Sequence, residues 1–291
     1  MRIIAALCFG LAAAFATLPA QADGKIAVVA AENFYGDIAK QIGGDRVEVI
    51  SILSNPDQDP HLFETTPGIV RQIANARIVI LNGADYDPWM DKLLAAAPKP
   101  DRVVINAAQI TGAKSGANPH LWYAPATMPA VATAIAKAFA AADEANASDY
   151  ALRLSATLAS MQRVSLRIAQ MKSKFSGAAI TATEPVFGPM AEALGLTVRN
   201  ERLALAVMND TEPSARDIAT FENDLKERKV KLMLYNKQVS AKLTERLRGI
   251  AARAKVPTVG VTETQPAGVT FQDWMLGQLD AIDKALTGPN S

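Results

Sequence analysis

The chain has 291 residues, 30 basic against 29 acidic side chains, and a 49% apolar share. That length suffices for two compact domains, and a net charge of +1 gives no electrostatic reason to expect nucleic acid or an anionic membrane surface as partner. Beyond the N-terminus, no apolar run approaches the roughly 20 residues needed to cross a bilayer.

Residues 1–22, MRIIAALCFGLAAAFATLPAQA, start basic at Arg2, continue apolar, and end in Ala20-Gln21-Ala22. This pattern predicts a secretory signal cut before Asp23, and hence export to the periplasm. The single cysteine, Cys8, lies inside it, too far from the cut to become a lipid-anchored N-terminus, so a lipoprotein is not expected. The mature chain then has no disulfide and no thiolate, and any metal must be held through nitrogen and oxygen.

Short β-branched runs then alternate with helical patterns. KIAVVAA (25–31) reads as a buried strand, NFYGDIAKQIG as a helix ended by Gly43-Gly44, and VEVISIL (47–53) as a second strand. PGIVRQIANA (67–76) reads as a helix, RIVILNG (77–83) as a strand, DPWMDKLLAAA as a helix and RVVINAA (102–108) as a strand. This order predicts βα units with helices covering a parallel sheet. From Pro125 onward, residues 127–143 and 146–175 are Ala-, Leu- and Met-rich with helical spacing and no strand signal. A helix over the second segment would be on the order of 40 Å long, suited to a strut between two lobes.

The alternation resumes with strands at GAAITAT (177–183), near LTVRNER, at VKLMLYN (230–236) and at PTVGVTE (257–263). Helices are predicted over PVFGPMAEALG, ARDIATFENDLKER and SAKLTERLRGIAARA, and FQDWMLGQLDAIDKAL closes the chain as an amphipathic helix. The expected architecture is α/β: an N-terminal lobe (23–145), a linking helix (146–175) and a C-terminal lobe (176–291), each lobe with a parallel sheet flanked by helices.

In such sheets ligands sit beyond the carboxyl ends of the strands. Both histidines of the chain follow a strand through a loop and stand directly after proline: His61 in DPHLFET and His120 in NPHLWYAP. Glu184 follows GAAITAT, and Glu263 ends PTVGVT. Imidazole nitrogen and carboxylate oxygen are ordinary ligands of zinc, manganese and ferrous iron, and a preceding proline limits the freedom of each histidine backbone. Each position also has a plain structural alternative: a solvated loop histidine, a carboxylate at a helix start, a polar strand end. Asn33, Tyr35, Asp59 and Glu64 are candidates to orient an imidazole through its other nitrogen. Trp89, Trp122 and Trp274 read as packing residues, with Trp122 placed to shield His120, and KERKVK as a solvated helix end.

The segments DPHLFETTPG, NPHLWYAP, EANASDYALRL, TEPVFGPMAEALGL and EPSARDIATFENDLKERKVKLMLYNKQ resemble successive landmarks of the ZnuA/TroA-like metal-binding subunits of bacterial zinc and manganese ABC importers. The resemblance implies two α/β lobes joined by a long helix, with a metal between them. It implies ligands at His61, His120, Glu184 and Glu263, the last matching a position where aspartate is usual. The third ligand is histidine in many zinc-type members and glutamate in some manganese-type members. The His-rich loop common in zinc-type members is absent. The implied cargo is Zn2+ or Mn2+, with Fe2+ also compatible, and the implied partner is a membrane permease, with the chain a monomer and no enzyme. A binder of an organic or chelated ligand and a metal-dependent hydrolase are the competing readings. No HExxH or G-x-S-x-G motif supports the second.

Overall fold

The computed structural model describes residues 24–57, 60, 63–239 and 241–288. The signal segment, its cleavage site, Cys8, Asp59 and His61 lie outside these residues.

In the N-terminal half, β1 (Ile26–Glu32), β2 (Val47–Leu53), β3 (Ile78–Leu81) and β4 (Val103–Asn106) form one sheet in the order β2-β1-β3-β4. All three ladders are parallel. The helices α1 (Asn33–Gly43), α2 (Pro67–Asn75) and α3 (Pro88–Ala96) supply the crossovers, and the short α4 (Ala107–Thr111) follows β4. Thr66 caps α2 by accepting the Ile69 N–H, and Pro67 stands where a missing donor costs nothing.

The C-terminal half repeats the arrangement. Strands β5 (Ala179–Ala182), β6 (Thr197–Arg199), β7 (Leu232–Asn236) and β8 (Thr258–Val261) pair in parallel in the order β6-β5-β7-β8. Around them lie α7 (Gly188–Ala193), α8 (Glu201–Met208), α9 (Ala215–Lys226), α10 (Lys242–Ala254) and the closing helix α11 (Phe271–Thr287). In each sheet the first strand is central and its neighbours leave in opposite directions. This is the topology that opens a crevice at the strand ends.

Between the halves run α5 (Thr127–Ala142) and α6 (Ala147–Phe175). The 29 residues of α6 extend about 43 Å. Arg46 and Asp149 pair at its N-terminal end, while Arg163 binds Asp273 and Arg167 binds Asp280 and Asp283 on α11. The helix is thus tied to both halves, as a strut must be. The largest apolar cluster is also shared: it runs from Val28 and Ile80 through Phe34, Trp122 and Tyr123 to Ile180, Leu234 and Leu279. Smaller clusters fill the outer faces of the two sheets, one around Val79 and Ile73, the other around Phe221 and Met233.

The elements match the sequence reading except at 107–111, where the end of the expected strand RVVINAA turns into the short helix α4, and around residues 185–208. The helix expected over PVFGPMAEALG is a 3-10 turn, Pro185–Phe187, followed by only six helical residues. The strand near LTVRNER covers three residues, and Glu201 begins α8, which the sequence reading missed. Asn200 joins them in the left-handed region at φ 63°, a conformation Asn tolerates better than most residues. No helix among the described residues is long and apolar enough to cross a membrane.

Candidate metal centre

Three of the four expected ligands lie at carboxyl ends of the sheets and are buried: His120 and Glu263 have 0% exposure and Glu184 has 4%. His120 precedes the 3-10 turn Leu121–Tyr123 on the connection from β4. Its loop is pinned from the N-terminal sheet by Asn82, whose Nδ2 donates to the Pro119 carbonyl at 2.8 Å. Glu184 follows β5 and Glu263 follows β8.

The orientation of the imidazole follows from its neighbour Asn118. The Asn118 amide nitrogen donates to the Pro185 carbonyl at 2.7 Å, and its oxygen accepts the His120 backbone N–H at 3.0 Å. That oxygen is also 2.8 Å from His120 Nδ1, so Nδ1 carries the proton. In the neutral ring the lone pair is then on Nε2. This buried nitrogen makes no hydrogen bond among the described residues and faces Glu263 Oε2 at 3.4 Å. An imidazole lone pair opposite a carboxylate oxygen is a contact of two acceptors, and a cation between them resolves it.

The two carboxylates meet at Asn236, at the end of β7. Its Nδ2 donates to Glu184 Oε2 at 3.0 Å and to Glu263 Oε1 at 2.6 Å. Its own oxygen accepts the Gln238 N–H at 3.0 Å, which fixes the amide so that the nitrogen points at the acids. Gln238 Oε1 in turn accepts the N–H groups of Glu263 and Thr264 at 2.6 and 3.1 Å. From the other half of the molecule, the Tyr86 hydroxyl donates to Glu263 Oε2 at 2.9 Å. Burial and the adjacent Glu263 charge push the Tyr86 phenol well above its usual range, so it remains a donor.

Trp122 lies 5.3 Å from the imidazole, ring edge to ring face, and stacks on Phe34 at 4.6 Å. It walls the site with apolar surface, as the sequence suggested. Asn33 exchanges two hydrogen bonds with the Gln265 backbone, Tyr35 donates to Asn82 Oδ1 at 2.8 Å, and Glu64 is exposed. The residues the sequence reading missed are Asn118, Asn236, Gln238 and Tyr86. Asn118 was findable, since it stands two residues before His120. Asn236 ends a strand beside that of Glu184, but neutral amides carry no metal-ligand signature in a sequence. Among the described residues no group of three His, Cys, Asp or Glu closes to metal-ligand spacing. His120 and Glu263 approach directly, whereas Glu184 joins them through Asn236, and His61 lies outside the described residues.

Comparison with known proteins adds to this geometry. The structure is similar to the periplasmic zinc-binding protein TroA of Treponema pallidum, with TM-score 0.77 and 20% identity, covering 91% of this chain and all of that one. By sequence it is 24% identical to the iron ABC transporter substrate-binding lipoprotein MtsA of Streptococcus pyogenes serotype M1, over 90% of this chain and 89% of that protein. It is also 24% identical to the manganese ABC transporter substrate-binding lipoprotein PsaA of Streptococcus pneumoniae, over 98% and 97%. Residues 28–285 match the family model described as zinc-uptake complex component A, periplasmic, and the chain belongs to that family.

Proposed function

We propose that the protein is an extracytoplasmic solute-binding protein that captures one divalent transition-metal ion, zinc or manganese, and delivers it to an ABC permease. One observation carries the proposal: the buried His120 Nε2, which makes no hydrogen bond among the described residues, faces Glu263 Oε2 at 3.4 Å. His120, Glu184, Glu263 and His61 are the proposed ligands. Two carboxylates and an imidazole brought together out of water repel or take up protons, and a divalent cation supplies the compensating charge.

The donors are nitrogen and oxygen only, a set compatible with zinc, manganese or ferrous iron. The site is a binding site rather than a catalytic one. A hydrolase needs an open coordination position and a general base beside it, whereas here the ring, Trp122 and both acids are packed away from solvent. Ligand imidazoles must be neutral, so affinity falls with acid. Glutamate at 184 and at 263 gives the site more carboxylate than a histidine-rich one, which favours harder cations without reversing the intrinsically tighter binding of zinc.

The protein acts as a monomer released into the periplasm, in contrast to the two streptococcal relatives named as lipoproteins. Isothermal titration of the metal-free protein with Zn2+ and Mn2+, wild type against His120→Ala, tests the site. Binding at one site that the substitution abolishes is expected, and unchanged affinity would remove the proposal. Hydrolysis of ester or phosphate substrates by the loaded protein would instead favour the enzyme reading.

A further inference from the structure

The two sheets place a second glutamate where the first one stands. In the C-terminal ladder Ala182 pairs with Leu234, and Glu184 and Asn236 lie two residues beyond them. In the N-terminal ladder Ala30 pairs with Ile80, and Glu32 and Asn82 lie two residues beyond those. Glu32 therefore occupies in its lobe the position that Glu184 occupies in the other, and Asn82 the position of Asn236.

The local chemistry differs. Asn82 does not reach Glu32; its amide holds the Pro119 and Gly83 carbonyls and accepts from Tyr35. Glu32 is 2% exposed, and among the described residues no other residue donates a hydrogen bond to either of its oxygens. Its neighbour is the carboxyl of Asp87. Asp87 is also buried, and its two oxygens accept the N–H groups of Asn82 and Gly83, both at 2.7 Å. These bonds close the loop 82–87, in which Gly83, Ala84 and Asp85 all have positive φ (72°, 51° and 65°). For Ala84 and Asp85 that conformation is costly and must be held by the surroundings.

The loop leads to the metal centre twice. Asn82 at its start pins Pro119, next to His120, and Tyr86 near its end donates to Glu263.

We propose that Glu32 is a positioning residue for metal capture, a neutral acid whose O–H donates to the Asp87 carboxylate and thereby locks the loop that presents His120 and Tyr86. The titration behaviour agrees. Burial, then the charge of Asp87 and the hydrogen bond to it, raise Glu32 well above the usual carboxyl range, while Asp87, raised by burial, is relieved by its donors and reaches about 6. Tyr35 and Tyr86, the other titratable groups that feel this pair, remain protonated, raised by burial.

This inference rests on His120 and Glu263 being ligands, and the test separates the two. Zn2+ alone is titrated into metal-free wild type, Glu32→Gln, Glu32→Met and His120→Ala, each checked for a cooperative melt. Glutamine keeps an N–H for Asp87 and should bind within about threefold of wild type. Methionine keeps the volume without the donor and should bind about tenfold more weakly, in the range seen when a ligand's supporting group is lost. Unchanged affinity in Glu32→Met, or an equal loss in Glu32→Gln, overturns the inference. Retained affinity in His120→Ala overturns the ligand assignment instead. Should the methionine variant fail to fold, infrared difference spectra of wild type minus Glu32→Gln at pH 7 decide. A lost carbonyl stretch of a protonated carboxylic acid is expected, and loss of a carboxylate band instead overturns the inference.

Discussion

Asn236 offers the sharpest perturbation, because a single amide nitrogen bridges the two carboxylates at 3.0 and 2.6 Å. Replacement by leucine keeps the buried volume and removes both bonds. A hydrogen bond to a charged group contributes about 1.5–3 kcal/mol, so the metal-free protein should lose at least about 3 kcal/mol. For a chain of this size, that corresponds to roughly 6–12 °C in Tm. A cation on the same two acids offsets their repulsion without the amide, so the metal-loaded variant should lose less. Differential scanning calorimetry, with and without saturating Zn2+, reads both quantities. The metal-induced rise in Tm should be larger in Asn236→Leu than in wild type. An equal loss in both forms would mean that the cation and the amide do not share these carboxylates, and the reasoning would be wrong.

Tyr86→Phe removes a donor to one carboxylate across the cleft and relieves no repulsion, so its effect is lost orientation. Calorimetric titration with Zn2+ should show affinity about tenfold lower. Asp87 rises from 3.8 to about 6 on folding, chiefly by burial. The folded protein therefore holds the extra proton, and this contribution, about 3 kcal/mol, is complete below pH 4 and is lost as pH rises through 6. Urea unfolding of the metal-free protein at pH 4.5 and 7 should show this loss in wild type and less of it in Asp87→Asn. Arg199 grips the buried Asp224 through two bonds at 2.8 and 3.1 Å. Against the upward pull of burial, that grip and the Asn200 bond hold Asp224 below its usual range. Arg199→Met should cost about 1–2 kcal/mol at pH 7, the guanidinium being part-exposed, and the difference from wild type should shrink as pH falls and Asp224 protonates.

The strands of both sheets were legible because buried parallel strands are continuous β-branched runs, and α1 was legible to the residue because Gly43-Gly44 ends it. α8 was not, since ERLALAVM follows a three-residue strand through one left-handed Asn that no turn dipeptide announces. His120, Glu184 and Glu263 could be picked out by one rule, polar residues at strand ends of an α/β chain. The groups that set their orientation could not. Asn236 and Gln238 lie in a stretch read only as strand and connection, and their roles depend on packing between strands far apart in sequence. Glu32 directly follows the KIAVVAA run and meets the same strand-end rule, but only the ladder register shows its correspondence to Glu184.

The central claim is that side chains from both halves converge on one cation. An anomalous diffraction map of crystals grown with Zn2+ tests it most directly. A single strong peak is expected, with His120 Nε2 and oxygens of Glu184 and Glu263 each within about 2.0–2.2 Å. A cation bound elsewhere, or a peak that His120 Nε2 does not reach, would contradict it.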